Sequence, residues 1–216
     1  MAIDVYLESG AKRVFAGAVE WPGLCRSART AEAALTALVA YAPRYAKAVA
    51  STRLGFNAPI NVASMEVVER LRGGATTDFG APEIAPKADE RKLDAAGAKR
   101  QAALLRAAWR YLDRTIEKYE GVKLATGPRG GGRDISKIAN HVFEAERAYL
   151  AILGGRYKGT DLGNERAAVL DALASHARGE APLPRRSTKV WSPRYFVRRA
   201  MWHVLDHAWE IEERAG

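Results

Sequence analysis

A single cysteine, Cys25, stands in 216 residues. That excludes a disulfide framework and a zinc site built from several thiolates. Long apolar runs are also missing: none approaches the roughly 18 residues of a spanning helix. The opening MAIDVYLESGAKR holds two acids and no apolar h-region, so no signal peptide is expected there. These absences point to the cytoplasm and away from a membrane. Aromatic residues are only 8% of the chain, but hydrophobic residues reach 48% against 27% charged. That balance builds a core and excludes wholesale disorder. The length suits one large domain or two small ones.

Acidic residues are scarce in one part only. Residues 1–90 contain ten basic and ten acidic residues, whereas residues 91–216 contain 24 basic and 15 acidic. The whole formal excess of +9 therefore falls in the second part. Within residues 181–205, Arg185, Arg186, Lys189, Arg194, Arg198 and Arg199 meet no acid at all. Such a stretch suits nucleic acid, an anionic surface or a small anionic substrate.

The first part reads as mixed α and β. A strand is expected near Asp4–Glu8, and a returning strand over Arg13–Val19 after a turn at Gly10. Trp21-Pro22-Gly23 ends the second strand. Thr30 is expected to cap a helix that Pro43 kinks or ends. Val62–Leu71 alternates enough for a third strand, with a helix as the other option. Gly73, Gly74, Gly80, Pro82 and Pro86 then mark residues 73–89 as a linker.

From there the pattern turns helical. Leu105, Trp109, Leu112, Ile116 and Tyr119 define one long amphipathic helix, whose stripe extends back to Leu93. A glycine-rich break around Gly127–Gly132 follows. Asp134 caps a second helix over about 135–153, with Ile135, Ile138, Val142, Ala145, Tyr149 and Ile152 on its apolar side. A third runs about 162–178, with Val169, Leu170 and Leu173 inward and Gly179 as its stop. Ser192-Pro193 opens a fourth to about Arg214. The expected fold is an α+β N-terminal module, residues 1–72, followed by an all-α four-helix bundle, residues 90–216.

All four histidines fall in that second part. His203-x-x-x-His207 places two imidazoles one turn apart on a single face, which suits two ligands of one metal. His141, mid-helix between Ile138 and Ala145, is the obvious third. Three imidazoles leave a position open, as catalytic zinc sites do. The competing reading is of core histidines satisfied by hydrogen bonds. His176, near a helix end, reads as structural. A dinuclear carboxylate site does not fit, because the order is reversed to His141-x-x-Glu144 and His207-x-x-Glu210. Those carboxylates, and Asp206, are candidates to orient the imidazoles. Arg194, Arg198 and Arg199 precede the histidine pair. Arg199, one turn before His203, is the best placed to bind a carboxylate or phosphate, with a solvated helix face as the alternative.

The stretch NHVFEAERAYLAIL around His141 and the terminal WHVLDHAWEIEER resemble the DinB-like, YfiT-related four-helix bundle family over roughly residues 90–214. The resemblance implies a divalent metal held by His141, His203 and His207. Zinc comes first, with nickel, manganese or iron as alternatives. It also implies a thiol-dependent S-transferase or isomerase that uses a low-molecular-weight thiol such as mycothiol or bacillithiol. Arg199 and Glu144 are then candidates for contact with the substrate or for orienting a ligand. A metal-held thiolate is a nucleophile at neutral pH, which makes that chemistry coherent.

Residues 1–50 resemble the HicB-like antitoxin fold through VYLE, VFAGAVEWPGLC and the helix opened by Thr30 with AEAAL. Antitoxins of this type carry a DNA-binding segment, and no helix-turn-helix or ribbon-helix-helix pattern is present here. The neutral charge of residues 1–90 argues against DNA contact by this module. It is expected to be an accessory for dimerisation or for a protein partner. Cys25 beside Arg26 and Arg29 is either a reactive thiol or an ordinary turn cysteine. Two further functions remain open: a non-catalytic regulatory protein, and nucleic-acid binding through residues 185–199, where Trp191 and Tyr195 interleave with the basic residues.

Overall fold

A computed structural model describes residues 2–127, 132–180 and 191–216. The chain divides into two compact units, Met1–Arg91 and Lys92–Gly216.

The first unit is a small mixed sheet with a helix. Strands β1 (Ile3–Ser9), β2 (Val14–Ala18), β3 (Cys25–Ala28) and β4 (Met65–Arg72) stand in the order β3-β2-β1-β4. The β1–β2 and β2–β3 pairs are antiparallel, and β4 joins β1 in parallel. The strand expected over 62–71 is β4, preceded by a single 3-10 turn at Val62–Ser64. β3 was not expected: its four residues CRSA carry no alternation, and only the pairing with β2 makes them a strand.

Helix α1 (Ala31–Val49) starts where Thr30 accepts a hydrogen bond from the Ala33 amide. It does not end at Pro43. Ala34, Leu38 and Ala42 before the proline and Tyr45, Ala48 and Val49 after it are all buried. Pro43 itself is exposed, so its missing N–H falls on the solvent side. Tyr45 donates to the Pro22 carbonyl at 2.9 Å and holds the second half of the helix in place. Burial on one continuous face outweighs the loss of one helical hydrogen bond.

Residues 73–89 are folded rather than a free linker. They contain helix α2 (Ala75–Phe79) and a 3-10 turn at Lys87–Glu90. The anchor is Glu8 of β1, fully buried. Its carboxylate accepts from Thr77 Oγ1 at 2.6 Å and from the amides of Glu83 and Ile84. Asp78 accepts from the amides of Ala11 and Lys12 in the β1–β2 turn. Gly10 is required there, since a Cβ would stand 2.3 Å from the Asp78 carboxylate. Glycine and proline content marks irregular backbone, but irregular backbone can be tightly bonded.

Among the described residues, the second unit holds four long helices: α3 (Ala95–Lys118), α4 (Ile135–Ile152), α5 (Leu162–Arg178) and α6 (Pro193–Ala215). α3 packs on α5 and α6, and α4 packs on the same two. Asp134 and Ser192 cap α4 and α6 as expected, and Asp94 and Asp161 do the same for α3 and α5. Leu93 is buried but lies outside the helix, because Asp94 caps it one residue later. α5 stops at Gly179, whose φ of 76° is the left-handed conformation that glycine adopts freely.

The buried face of α4 differs from expectation. Ile135, Ile138 and Val142 are inside, but Ala139, Glu146 and Leu150 complete the face in place of Ala145, Tyr149 and Ile152. The Trp109 indole N–H of α3 donates to Glu146 and draws it inward. α6 is buried on all sides over much of its length: every residue from Tyr195 to Leu205 is inside. Among the described residues, no helix is long and apolar enough to cross a membrane.

Candidate metal centre

The site is built on α6 and α4, both in the second unit. Ser192 caps the start of α6 and Pro193 supplies its first residue, which sets where the helix begins. At its end, Arg214 reaches three separate groups. It donates to the carbonyls of Ala125 and Arg133 at 2.7 and 2.8 Å, and to Glu210 at 2.7 Å. The Ala125 amide donates back to the Arg214 carbonyl at 2.8 Å. These bonds tie the chain just ahead of α4 to the end of α6. They also set the register in which His141 meets the α6 histidines.

His141, His203 and His207 converge, with ligand atoms within 4.8 Å of one another. The ring centroids form a nearly regular triangle: 4.9 Å from His141 to His203, 5.0 Å from His141 to His207 and 4.6 Å from His203 to His207. The Nε2 atoms of His141 and His203 face each other at 3.2 Å. Two nitrogens bound tetrahedrally at about 2.0–2.1 Å from one zinc stand roughly 3.3 Å apart, so this spacing fits a shared metal. His203 and His207 are buried, and His141 is more exposed. Among the described residues this is the one group of three or more side chains arranged to hold a metal.

The protonation chemistry agrees with the geometry. Burial pushes the His203 imidazole well below its usual range, and repulsion by His207, His141 and Arg199 adds to the effect. His141 is lowered too, by burial and then by His207 and Arg133. Both are therefore neutral bases, the form that ligates metal. His207 Nδ1–H donates to Glu210 at 2.7 Å, which turns Nε2 toward the other two rings. Burial alone would raise the Glu210 carboxyl, but the His207 hydrogen bond and Arg214 outweigh it and bring it down to about 2. The donor set of three imidazoles, one oriented by a carboxylate, fits a borderline divalent ion.

The other candidates from the sequence divide clearly. Glu144 is exposed and acts on His141 by charge alone, without a hydrogen bond to it. Glu210 is the carboxylate that holds an imidazole. Both sit three residues after a histidine, so spacing does not separate them. Arg214, four residues beyond Glu210, was the usable signal. His176 Nε2–H donates to the Leu153 carbonyl at 2.8 Å and fastens α5 to the end of α4, a structural role. Cys25 is buried, within 3.9 Å of the Tyr6 hydroxyl, and is not presented as a reactive thiol.

Of the three arginines ahead of the histidine pair, Arg194 is half-buried, but Arg198 and Arg199 do not belong to a solvated face. Arg198 and Arg199 are 5% and 9% exposed. Trp191 and Tyr195 are buried against each other, with ring centroids 5.1 Å apart, and Trp191 also packs on Tyr149. They anchor the start of α6 and offer no open face for base stacking. Arg185, Arg186 and Lys189 lie outside the described residues. Comparison with family models, with curated proteins and with solved structures finds no match for this chain.

Proposed function

We propose that the chain is a metal-dependent enzyme of the DinB-like type, acting on small molecules with a low-molecular-weight thiol as co-substrate. In this reading α3–α6 form the family's four-helix bundle, and residues 1–72 form a HicB-like accessory module. The observation that carries it is the convergence of His141, His203 and His207, from two helices, to within 4.8 Å. A divalent ion held there, zinc first and nickel, manganese or iron as alternatives, would act as a Lewis acid that favours the thiolate form of a bound thiol.

The chain's own part is to hold and to shield. Glu210 and Arg214 fix the His207 ring, so that the three nitrogens stay aimed at one point. The burial of His203 and Trp202, with the half-buried Tyr149 beside them, shields one side from water. In an S-transfer the thiol proton passes to water, and sulfur forms a bond to the acceptor carbon. The leaving group then departs with its bonding pair. In the isomerase variant, the thiol adds and is expelled again.

Elemental analysis of the purified chain tests this reading. The expected result is one divalent ion per chain in the wild type and less than a tenth of that in His203→Ala. A wild-type protein that stays metal-free and fully stable after growth with ample zinc overturns it.

A further inference from the structure

Of the buried arginines of α6, Arg198, Arg199 and Arg214, the last two stand in opposite situations. Arg214 is 7% exposed and saturated by Glu210 and two carbonyls. Arg199 is 9% exposed, and its one hydrogen bond is a long one, 3.4 Å from Nη2 to the Tyr149 hydroxyl. Its Nη1 is buried without a partner, and among the described residues no carboxylate pairs with it. A buried guanidinium cannot shed its proton, so an unpaired one is costly unless an anion arrives. The guanidinium lies 4.9 Å above the Trp202 ring and 5.8 Å from the Tyr149 ring. Both rings flank His203, at centroid distances of 6.1 and 6.0 Å. Two more buried nitrogens without partners stand around Tyr149: Nε1 of Trp191, whose ring is 4.9 Å away, and Nδ1 of His203.

We propose that Arg199 is the carboxylate-binding residue of the histidine centre, and that the small molecule bound there carries a carboxylate one helical turn from its metal-binding sulfur. A lone guanidinium with aromatic rings beside it matches a flat, singly charged carboxylate, which it can take in a two-pronged contact. The inference rests on the proposed metal–thiol reading for the position of the sulfur, but not for the anion contact itself. Glu146, another buried ionisable group with an unpartnered atom among the described residues, makes the distinction clear: a carboxyl can neutralise itself by taking a proton, whereas Arg199 has no such escape.

The test uses the zinc-loaded full chain and follows tryptophan fluorescence, with zinc content measured for every variant. 3-Mercaptopropionate should bind at least tenfold more tightly than 2-mercaptoethanol. Arg199→Gln should erase that preference while keeping its zinc and its affinity for 2-mercaptoethanol. Arg199→Lys, which keeps the charge but not the fork, should retain only part of the preference and serves as the readout if the Gln variant does not fold. Equal wild-type affinity for the two thiols, or a preference unchanged in these variants, overturns the assignment. If zinc or thiol binding fails altogether, the enzyme reading falls and benzoate becomes the probe. Saturable benzoate binding that Arg199→Gln removes upholds the carboxylate contact, and its absence from the wild type overturns that contact.

Discussion

The two ends of α6 place a buried arginine beside the same histidine centre and give it opposite surroundings. At the C-terminal end, Arg214, Glu210 and His207 form a closed chain in which each charge has its counterpart. At the N-terminal end, Arg199, Trp191 and His203 each keep a buried nitrogen without a partner among the described residues. Closed pairing makes scaffold, because a satisfied buried network is rigid and has nothing left to offer a ligand. Unfilled pairing beside a reactive centre is a standing cost, and natural proteins tolerate such costs where function needs them. The contrast divides one helix into a part that holds the histidine centre and a part that, in the reading proposed above, takes the ligand's carboxylate.

Breaking the closed end should have the largest effect. Arg214→Met strands Glu210 and frees the carbonyls of Ala125 and Arg133, a loss of about 2–4 kcal/mol in urea unfolding of the metal-free chain. An unchanged midpoint would show that the network is not scaffold. Glu210→Gln is gentler. It keeps a hydrogen-bond acceptor for His207 but removes the charge, and metal affinity should fall about 10–100-fold, or about 1.4–2.7 kcal/mol. Competition with a chelator of known zinc affinity measures it. Glu144→Gln is the control and should change affinity less than about threefold, since Glu144 has no hydrogen bond to an imidazole.

That control marks the boundary of what the sequence makes readable. Thr30, Asp134 and Ser192 cap their helices as read, because a cap needs only residues within one turn. His203 and His207 were legible for the same reason, being a local spacing on one helix. His141 was read as the third from its mid-helix place between Ile138 and Ala145, and the family resemblance agreed; that its helix meets α6 at that point is a long-range contact no local spacing shows. The failures lie where long-range contacts decide. α1 runs through Pro43 because Tyr45 is held by the distant Pro22 carbonyl. Residues 73–89 fold because Glu8, some seventy positions earlier, accepts their amides. The buried state of Arg199 was illegible because charge predicts exposure, and only the packing of α6 reverses that expectation.

Carboxylates repeat the contrast between the ends of α6. Glu8 in the sheet is surrounded by donors, whereas Glu146 accepts one bond, from Trp109, and its Oε2 has no partner. Burial pushes the Glu146 carboxyl up to about 7, against the opposing pull of Arg166. The folded state therefore holds a proton that the unfolded state has already released above pH 4.5. Stability from this group is present below pH 4.5 and is lost as pH rises through about 7. Glu146→Gln keeps an acceptor for Trp109 and removes the titration. The variant should gain about 2–3 kcal/mol on the wild type between pH 5 and pH 8. Taking the difference between the two proteins cancels the histidines' contribution. A difference that does not change with pH would mean that Glu146 finds a partner in solution.

The smallest effect is the most diagnostic, because its sign is unusual. Replacing a buried arginine is normally destabilising, and at position 214 it should be. At position 199 the side chain has no ion pair to lose, and methionine fills much of the same volume without a charge to desolvate. Arg199→Met should therefore leave the apo protein as stable as the wild type or up to about 1 kcal/mol more stable. It should also raise metal affinity severalfold, since a cation beside His203 is removed. Urea unfolding with and without chelator reads both quantities. A loss of 2 kcal/mol or more, comparable to that expected for Arg214→Met, would make Arg199 a second piece of scaffold and close the end of α6 now assigned to the substrate.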